Sequence, residues 1–404
     1  MKVLMFGWEF PPYKSGGLGT ACFGLTKGLA SQNVDVTFVM PVAPDSEKTD
    51  FVKLIGANNL AKKIKLKEVD TILKPYQTSE EYSDYYSEIT SKSSKNIYGK
   101  DLYKEVKRYS EVAKVIARTE KHDIIHCHDW MTYQSGINAR KISRKPLVVH
   151  IHATEFDRTG GSPNNFISKI EYNGLKEADL VIANSNFTKQ NVIRCYKIKP
   201  EKIKVVHWGM DDYNPAYQTN YKSELNKKEK IVLFLGRVTL QKGPDYFIEV
   251  AKKVLDYYKK VRFVIAGDGD MMPKIINKSI ELGIQDKITF TGFLQGNDVH
   301  KAFQTADIYV MPSVSEPFGL VALEALKNGT PVIISKQSGV AEVLNHALKV
   351  DFWDINKMTN KIVSLLKYKD LHDELKQNSM KEVSKFNLDL PAKKIIQIYD
   401  EVRK

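Results

Sequence analysis

The sequence is poor in cysteine and has no long apolar run. Its 404 residues include only three cysteines, Cys22, Cys127 and Cys195. This odd, widely spaced set excludes a disulfide scaffold and a Cys-x-x-Cys metal site. No stretch approaches the roughly 20 apolar residues of a membrane span, and acidic and proline residues follow the apolar run at 3–6 too soon for a secretory signal. We therefore expect a water-soluble protein of the reducing cytoplasm.

Negative charge is scarce relative to positive charge. Lysine and arginine total 61 against 48 aspartates and glutamates, which gives a formal net charge of +13. This excess favours an anionic partner such as nucleotide phosphates, RNA or an anionic membrane. Because the excess is mild for this length and no RNA-recognition motif accompanies it, we expect no nucleic-acid partner. Length and a hydrophobic content of 42% predict two large domains.

Short apolar runs alternate with longer amphipathic stretches, which indicates parallel sheets wrapped by helices. The predicted strands are 3–6, 36–40, 124–126, 147–151, 180–183 and 205–206, then 231–235, 261–266, 288–290, 308–311 and 331–334. A polar stretch at 211–230 separates the two sets. We predict two tandem Rossmann-like doubly wound α/β domains with an interdomain cleft, at residues 1–212 and 225–385, and an amphipathic helix after Pro391.

A glycine-rich loop, Lys14-Ser15-Gly16-Gly17-Leu18-Gly19, lies between the first predicted strand and a predicted helix at 21–32. Adjacent glycines let the backbone approach a ligand, and the helix N-terminus offers free N–H groups to an anion. An ordinary strand-to-helix turn with a surface lysine is the alternative. The loop is not a dinucleotide-binding Gly-x-Gly-x-x-Gly motif, because Cys22 stands where the third glycine would be.

A second loop carries Gly236-Arg237 and Lys242-Gly243-Pro244 between the strand at 231–235 and a helix that begins at Pro244. Open α/β sheets bind their ligands at this position, the carboxyl end of a strand. Two fixed cations there suit a diphosphate on which negative charge increases as it leaves. The alternative is a pair of solvated surface cations.

The third loop contains Glu316, and Glu324 lies one to two turns into the helix that follows. The N–H groups of Phe318, Gly319 and Leu320 would form a cradle for an anion or a hydroxyl group. Ionised glutamates accept bidentate hydrogen bonds from vicinal diols, so this pair suits two sets of sugar hydroxyls. The alternatives are a helix-entry carboxylate for Glu316 and a surface ion pair for Glu324.

Two histidine-bearing segments end strands of the first predicted domain. They read His126-Cys127-His128-Asp129-Trp130 and His150-Ile151-His152. Strand alternation puts Cys127 on the opposite face from its neighbours and no His-Glu-x-x-His motif is present, so we expect no catalytic metal. We expect Asp129 and His152 to face the interdomain cleft, and His126 and His150 to be internally satisfied histidines at strand ends.

Together these motifs resemble retaining glycosyltransferases of the two-Rossmann-domain (GT-B) fold. Glu316 to Glu324 matches the E-x7-E signature, and its surroundings look like glycosyltransferase family 4. Lys14-x-Gly16-Gly17-Leu18 resembles the K-x-G-G-L motif of bacterial and archaeal glycogen and starch synthases, and His128-Asp129-Trp130 resembles their H-D-W motif. The resemblance spans nearly the whole chain and implies that the C-terminal helix, residues 386–404, packs back on the first domain.

The resemblance also implies roles for individual residues. Arg237 and Lys242 would bind the donor diphosphate, Glu316 and the amides after it the sugar hydroxyls, and Glu324 the ribose. Gly17 would let the backbone approach the donor phosphates. His152 would contact the donor sugar near its anomeric carbon, and Asp129 would contact sugar or acceptor. The predicted catalytic residues are His152, Glu316, Arg237, Lys242 and Asp129; the predicted donor-binding residues are Lys14, Gly16, Gly17, Arg237, Lys242, Glu316, Phe318, Gly319, Leu320 and Glu324.

The resemblance leads to a predicted retaining transfer of a hexose, glucose in the first instance, from UDP- or ADP-glucose to a hydroxyl acceptor, without a metal or other cofactor. An α-glucan acceptor follows from the synthase-like motifs. The segment from Glu316 to Glu324 has the broader family 4 style, which leaves the acceptor open. Alternatives are a membrane-peripheral glycolipid transferase that uses the basic stretch 62–67 and a nucleotide-sugar epimerase. Weak membrane association and the oligomeric state stay open.

Overall fold

The computed structural model describes residues 1–11, 16–41, 51–57, 102–211 and 229–404. These residues form two units, which we describe separately. Unit 1 comprises 1–155, 163–209 and 388–404, and unit 2 comprises 156–162 and 210–387. Lys14 and most of the lysine-, serine- and tyrosine-rich region at 59–107 lie outside the described residues. The short segment 156–162, which the predicted domain ranges include in the first domain, belongs to unit 2.

Unit 1 is built on a parallel sheet of seven described strands in the order β3-β2-β1-β4-β5-β6-β7. The strands are β1 (Lys2–Phe6), β2 (Asp35–Met40), β3 (Lys53–Gly56), β4 (Ile124–His128), β5 (Leu147–Ile151), β6 (Leu180–Ala183) and β7 (Ile203–Val205). Every residue of β4, β5 and β6 is buried. Near-continuous apolar strands of this kind are typical of parallel sheets with both faces covered.

Helices connect the strands of unit 1. They are α1 (Gly17–Ser31), α2 (Leu102–Thr119), α3 (Trp130–Ser143), α4 (Glu155–Arg158, which runs on into unit 2), α5 (Asn165–Glu177) and α6 (Asn186–Tyr196). The C-terminal helix α13 (Asp389–Arg403) packs against α1. A Cβ atom on Gly28 would lie 2.7 Å from the carbonyl oxygen of Leu388, so this close approach requires glycine.

Unit 2 contains a parallel sheet of six described strands in the order β10-β9-β8-β11-β12-β13. The strands are β8 (Lys230–Leu235), β9 (Val261–Ala266), β10 (Ile288–Gly292), β11 (Ile308–Met311), β12 (Val332–Ser335) and β13 (Leu348–Val350). The helices are α7 (Pro244–Tyr257), α8 (Met272–Glu281), α9 (Asn297–Thr305), α10 (Leu320–Lys327), α11 (Ile355–Lys367) and α12 (Lys369–Val383). A buried aliphatic and aromatic core that includes Val232, Phe247, Phe263 and Ile362 joins sheet and helices.

The predicted α/β class and doubly wound architecture are confirmed. The predicted strands at 147–151, 180–183, 261–266 and 308–311 match β5, β6, β9 and β11 residue for residue. β3 and β13 were not predicted from the sequence, and β7 was predicted two residues late, at 205–206. All three are edge strands, which bury fewer side chains and so carry a weaker apolar pattern.

Candidate active site

The order of the strands in unit 2 reverses between β8 and β11. The chain winds outward from β8 to β10 on one side and from β11 to β13 on the other, while β8 and β11 pair directly through Ile308 with Val232 and Tyr309 with Leu233. The loops at the carboxyl ends of these two strands therefore diverge and leave a crevice, the usual ligand site of such sheets. Arg237 and Lys242 follow β8, and Glu316 follows β11.

The loop after β8 is held tightly against the loop after β11. A single 3₁₀ turn, Leu240–Lys242, ends at Gly243, whose φ of +66° lies in the left-handed region. A Cβ atom on Gly243 would lie 2.3 Å from the carbonyl oxygen of Pro312. Glycine is therefore required at this position for two reasons: only glycine adopts this backbone conformation without strain, and there is no space for a side chain. As a result, Lys242 lies two residues before the start of α7 at Pro244, next to the Glu316 loop.

Lys242 and Glu316 form an ion pair. Lys242 Nζ lies 2.5 Å from Glu316 Oε2, and the two side chains are 19% and 8% exposed. The hydroxyl of Ser313 also donates to Glu316 Oε2, at 3.2 Å. The structure thus brings the predicted phosphate-binding lysine and the predicted sugar-binding carboxylate into direct contact.

Arg237 joins this group through Gln241, a residue that the sequence analysis did not identify. One guanidinium nitrogen of Arg237 donates to Gln241 Oε1 at 3.1 Å. Gln241 is buried, and its backbone carbonyl accepts the N–H of Val314 at 3.0 Å. Gln241 therefore positions Arg237 and fastens the β8 loop to the β11 loop at the same time. A lone glutamine in a turn gives no pattern by which sequence could have found it.

A third loop, after β12, holds the backbone of Glu316 through hydrogen bonds. The N–H of Glu316 donates to the carbonyl of Gln337, and its carbonyl accepts the N–H of Gly339, both at 2.9 Å. The N–H of Val340 donates to the carbonyl of Phe318 at 2.7 Å. Phe318 is buried, and Gly319, with φ of +106°, precedes the first turn of α10 at Leu320. The predicted amide cradle thus sits at the beginning of α10, and its binding role stays a prediction.

Glu324 lies on α10, half-buried, close to Tyr309 of β11. Burial raises the pKa of Glu324 above its ordinary value. The pKa of the buried Tyr309 is raised well above its usual range, first by desolvation and then by the negative charges of Glu316 and Glu324. The Tyr309 hydroxyl donates to the carbonyl of Leu235 at 3.2 Å. Tyr309, also missed from sequence, therefore lies within the electrostatic reach of both carboxylates of the signature.

The segment 156–162 contributes one further contact to the β11 loop. The hydroxyl of Ser315 donates to Asp157 Oδ1 at 2.6 Å, and Asp157 is buried. The residue that precedes Glu316 is therefore restrained by a carboxylate far away in sequence. Neither partner was predicted, because the contact depends on how the segment 156–162 packs against the β11 loop.

In unit 1 the glycine loop differs from the prediction. The carboxylate of Glu9 accepts the N–H of Gly16 at 2.9 Å and that of Gly19 at 3.3 Å. The protein's own carboxylate thus occupies two of the N–H groups that were expected to meet an external anion. Gly16 and Gly17 are exposed, and a Cβ atom on Gly17 would meet no other atom within 4 Å. Internal packing therefore does not explain the glycine at position 17.

Asp129 and His152 are neighbours at the carboxyl ends of β4 and β5. The N–H of His152 donates to Asp129 Oδ1 at 2.7 Å, and His152 Nε2 lies 3.0 Å from His128 Nδ1. Asp129 adopts a φ of +58°, a strained conformation for a non-glycine residue. Desolvation lowers the pKa of His128 to about 3, so this ring is neutral at physiological pH. The two predicted residues are therefore in contact with each other, and their role in catalysis stays a prediction.

The expectation of internally satisfied histidines is wrong for His150 and half right for His126. His126 Nδ1 lies 2.6 Å from the hydroxyl of Tyr399 on α13, but its Nε2 has no partner within the described part of the chain. Both ring nitrogens of His150 are likewise without a described partner. The pKa values of both rings are held well below the ordinary value, mainly by burial.

The predicted site residues therefore fall into two groups. In unit 2 the structure brings together Arg237, Lys242 and Glu316, with Glu324 near by across Tyr309. In unit 1 it brings together Asp129 and His152, while Gly16 and Gly17 lie at the N-terminus of α1. No helix in the described ranges is long and apolar enough to cross a membrane.

The family models and known proteins that match this chain agree with one another. Residues 2–210 match the model of the starch synthase catalytic domain, and residues 218–382 match that of group 1 glycosyl transferases. An uncharacterized glycosyltransferase of Methanocaldococcus jannaschii is 31% identical over 417 residues, which cover 99% of this chain and 98% of the relative. D-inositol 3-phosphate glycosyltransferase of Mycolicibacterium smegmatis is 31% identical over 61% of this chain and 60% of its own length.

Solved structures share the fold. Sucrose-phosphate synthase from Thermosynechococcus elongatus superposes with a TM-score of 0.76 and 21% identity, over 99% of this chain and 98% of the neighbour. HepE of Anabaena, in complex with UDP and glucose, superposes with a TM-score of 0.71 and 18% identity, over 99% of this chain and the whole of the neighbour.

Proposed function

The chain belongs to the GT-B glycosyltransferases that resemble glycogen and starch synthases, and on that premise we propose that it is a retaining enzyme that transfers glucose from a nucleotide diphosphate sugar to a hydroxyl acceptor. The observation that carries the proposal is the grouping of Arg237, Lys242 and Glu316 where β8 and β11 end. The two cations at this crevice match the negative charges of a donor's diphosphate. The carboxylate can accept hydrogen bonds from the hydroxyl groups of the attached sugar.

The proposed chemistry depends on departure of the nucleoside diphosphate. Negative charge grows on the bridging oxygen as the bond to the sugar breaks, and Lys242 and Arg237 stabilise that charge from fixed positions. Glu316 orients the sugar by accepting hydrogen bonds from its hydroxyls. Glu324 is assigned to the ribose, and the amides of Phe318, Gly319 and Leu320 support the donor at the start of α10. Asp129 and His152 are assigned to the donor sugar and the acceptor.

In this scheme the acceptor hydroxyl attacks from the face that the diphosphate leaves and passes its proton to the departing diphosphate, so the product keeps the configuration of the donor. Such a reaction needs charge stabilisation and positioning of the acceptor more than an enzymatic nucleophile. UDP-glucose is the first donor to test, because HepE holds UDP-glucose in a structure of the same fold. ADP-glucose is the second.

Two acceptor classes have support. An α-glucan is favoured because the starch synthase catalytic domain model matches residues 2–210. A small phosphorylated acceptor is favoured by the D-inositol 3-phosphate glycosyltransferases, which align with 61% of the chain. A glycolipid acceptor at a membrane surface stays a prediction, since the basic stretch 62–67 lies outside the described residues.

The test combines a donor screen with an acceptor screen. UDP-, ADP- and GDP-sugars are compared for thermal stabilisation, and the best donor is then offered with glycogen, maltose, sugar phosphates or inositol phosphate. Nuclear magnetic resonance of the product reports the anomeric configuration. An inverted product would contradict the retaining mechanism, and conversion of the donor to another sugar without acceptor would indicate an epimerase.

A further inference from the structure

Three fully buried histidines of unit 1 form a cluster that the transfer reaction does not use. His126, His128 and His150 are each 0% exposed. His126 and His128 lie two residues apart on β4 and so share one face of the sheet. His150 of β5 is paired in register with His128. We call His126, His128 and His150 the histidine cluster.

The histidine cluster has too few hydrogen-bond partners. Four of its ring nitrogens, Nε2 of His126, Nε2 of His128 and both nitrogens of His150, have none among the residues that the structure describes. Buried polar atoms in native proteins are nearly always paired, because an unpaired one loses its hydration without compensation. Three of these four nitrogens, one from each ring, could share a common partner.

The spacing of the cluster suits a single ion. One nitrogen from each ring can be chosen so that all three lie within 4.8 Å of one another. Zinc binds imidazole nitrogens at about 2.0–2.1 Å, which in a tetrahedral site separates the nitrogens by about 3.4 Å. Binding of the ion would draw these nitrogens together by up to about 1.4 Å.

The second nitrogens of two of the three rings are held as they are in known metal sites. A metal-bound histidine usually engages its second nitrogen with a neighbouring polar group, which fixes the orientation of the ring. Here His126 Nδ1 meets the hydroxyl of Tyr399 at 2.6 Å, and His128 Nδ1 meets His152 Nε2 at 3.0 Å. The third ring, His150, stacks on Trp208 with centroids 4.9 Å apart and planes at 5°. All three rings are therefore oriented by their surroundings.

A buried carboxylate lies next to the histidine cluster. Asp129 follows His128 directly in the chain and is fully buried. Two buried carboxylates, Glu9 and Asp129, lie close enough to raise the pKa of Cys22. The Sγ atom of Cys22 lies within 4.8 Å of nitrogens of His128 and His152. Asp129 thus supplies negative charge next to one of the proposed ligands, which favours a bound cation.

We propose that the histidine cluster binds one divalent transition-metal ion, with Zn²⁺ as the native metal, through His126, His128 and His150. Imidazole ligands suit zinc and its neighbours in the first transition row and do not suit Mg²⁺ or Ca²⁺. The ion joins β4 to β5 and, through Tyr399, to α13. It takes no part in the transfer step.

A second set of ligands, Cys22, His128 and His152, shares one residue with the histidine cluster. We favour the all-histidine set because Nε2 of His152 is already bonded to His128, whereas His126 and His150 offer nitrogens without described partners.

The test measures zinc affinity and stoichiometry in the full chain, purified without a histidine tag and stripped with a chelator. We expect one zinc per chain and a rise in melting temperature on zinc addition. Tyr399→Phe keeps the ring and removes only the hydroxyl that holds His126, so it should weaken zinc binding about 10- to 100-fold. His126→Ala should weaken it further. Cys22→Ala and the exposed control His346→Ala should bind zinc as the wild type does.

Several results would overturn the proposal. The wild type could fail to bind zinc or cobalt stoichiometrically, or His126→Ala and Tyr399→Phe could bind with unchanged affinity. Loss of binding in Cys22→Ala, or a thiolate-to-cobalt charge-transfer band in the Co²⁺ protein, would assign the ion to the other ligand set. Circular dichroism of each variant without metal shows whether it is folded. If His126→Ala does not fold, Tyr399→Phe still tests the proposal.

Discussion

Lys242 Nζ lies 2.5 Å from Glu316 Oε2, although 74 positions separate the two residues in the chain. They meet because β8 and β11 are neighbours in the sheet and their loops leave its carboxyl edge together. In the proposed reaction the lysine serves the diphosphate and the glutamate serves the sugar. We infer that the donor binds at this ion pair. Lys242 then contacts the diphosphate and Glu316 contacts the sugar, and the contact between the two side chains weakens.

Replacement of Lys242 by alanine should lower kcat with the proposed donor about 100- to 1,000-fold, the usual cost of removing one fixed group that stabilises charge in the transition state. Steady-state kinetics with UDP-glucose measure the effect. Lys259→Ala, which removes an exposed lysine of the same unit, is the matched control. An unchanged kcat together with unchanged donor affinity would refute the phosphate assignment.

Glu316→Gln should reduce transfer at least about 100-fold and leave the affinity for UDP unchanged, because the carboxylate is assigned to the sugar and not to the nucleotide. Calorimetric titration with UDP and with UDP-glucose separates the two contributions. The exposed Glu281→Gln serves as control. If UDP binding were lost instead, Glu316 would contact the nucleotide and our assignment of Glu316 and Glu324 would be reversed.

Gln241→Ala should lower kcat/KM about 10- to 100-fold, since it removes an acceptor from the charged Arg237. The backbone bond from Val314 to residue 241 does not depend on the side chain, so the loop should keep its structure. Gln241→Glu should restore most of the activity, because a carboxylate also accepts from Arg237. Equal damage in both variants would show that Gln241 acts through packing and not through the arginine.

Gly243→Ala should destabilise unit 2 by more than Gly283→Ala. Both glycines have nearly the same positive φ, +66° and +64°, but a Cβ atom at 243 would collide with the carbonyl of Pro312 while one at 283 meets open space. Left-handed backbone alone costs alanine about 1–2 kcal/mol, and the collision at 243 adds to it. Urea unfolding of the two variants gives the difference, and equal losses would exclude the predicted steric term.

Glu324 should make stability depend on pH. Burial raises the pKa of Glu324 in the folded protein above its unfolded value, so the ionised carboxylate destabilises the fold at neutral pH and the penalty disappears as pH falls below the unfolded value. Glu324→Gln should therefore be more stable than the wild type at pH 7, and the gain should shrink toward pH 4. A gain that is independent of pH would rule out titration of Glu324 as the cause.

Much of the candidate site was predictable because catalytic loops in this fold follow strands. Apolar runs identified β8 and β11, and the loops behind them, with Arg237, Lys242 and Glu316, were then expected at one edge of the sheet. Gln241, Asp157 and Glu9 were not predictable. Each acts through hydrogen bonds that depend on how a loop folds or on which loops meet, and such bonds leave no periodic trace in the sequence.

The amino-acid sequence alone determined the alternation of strands and helices, since burial on both faces demands continuous apolar strands, and glycine and proline mark where the loops turn. Only the tertiary structure decided which polar groups meet. The Lys242–Glu316 pair, the Glu9 carboxylate at α1 and the buried histidine cluster with Tyr399 all join residues whose distance depends on strand order and helix packing. Electrostatic and hydrogen-bond energies change over a few ångströms, and distances between groups are set to that precision only when the chain has folded.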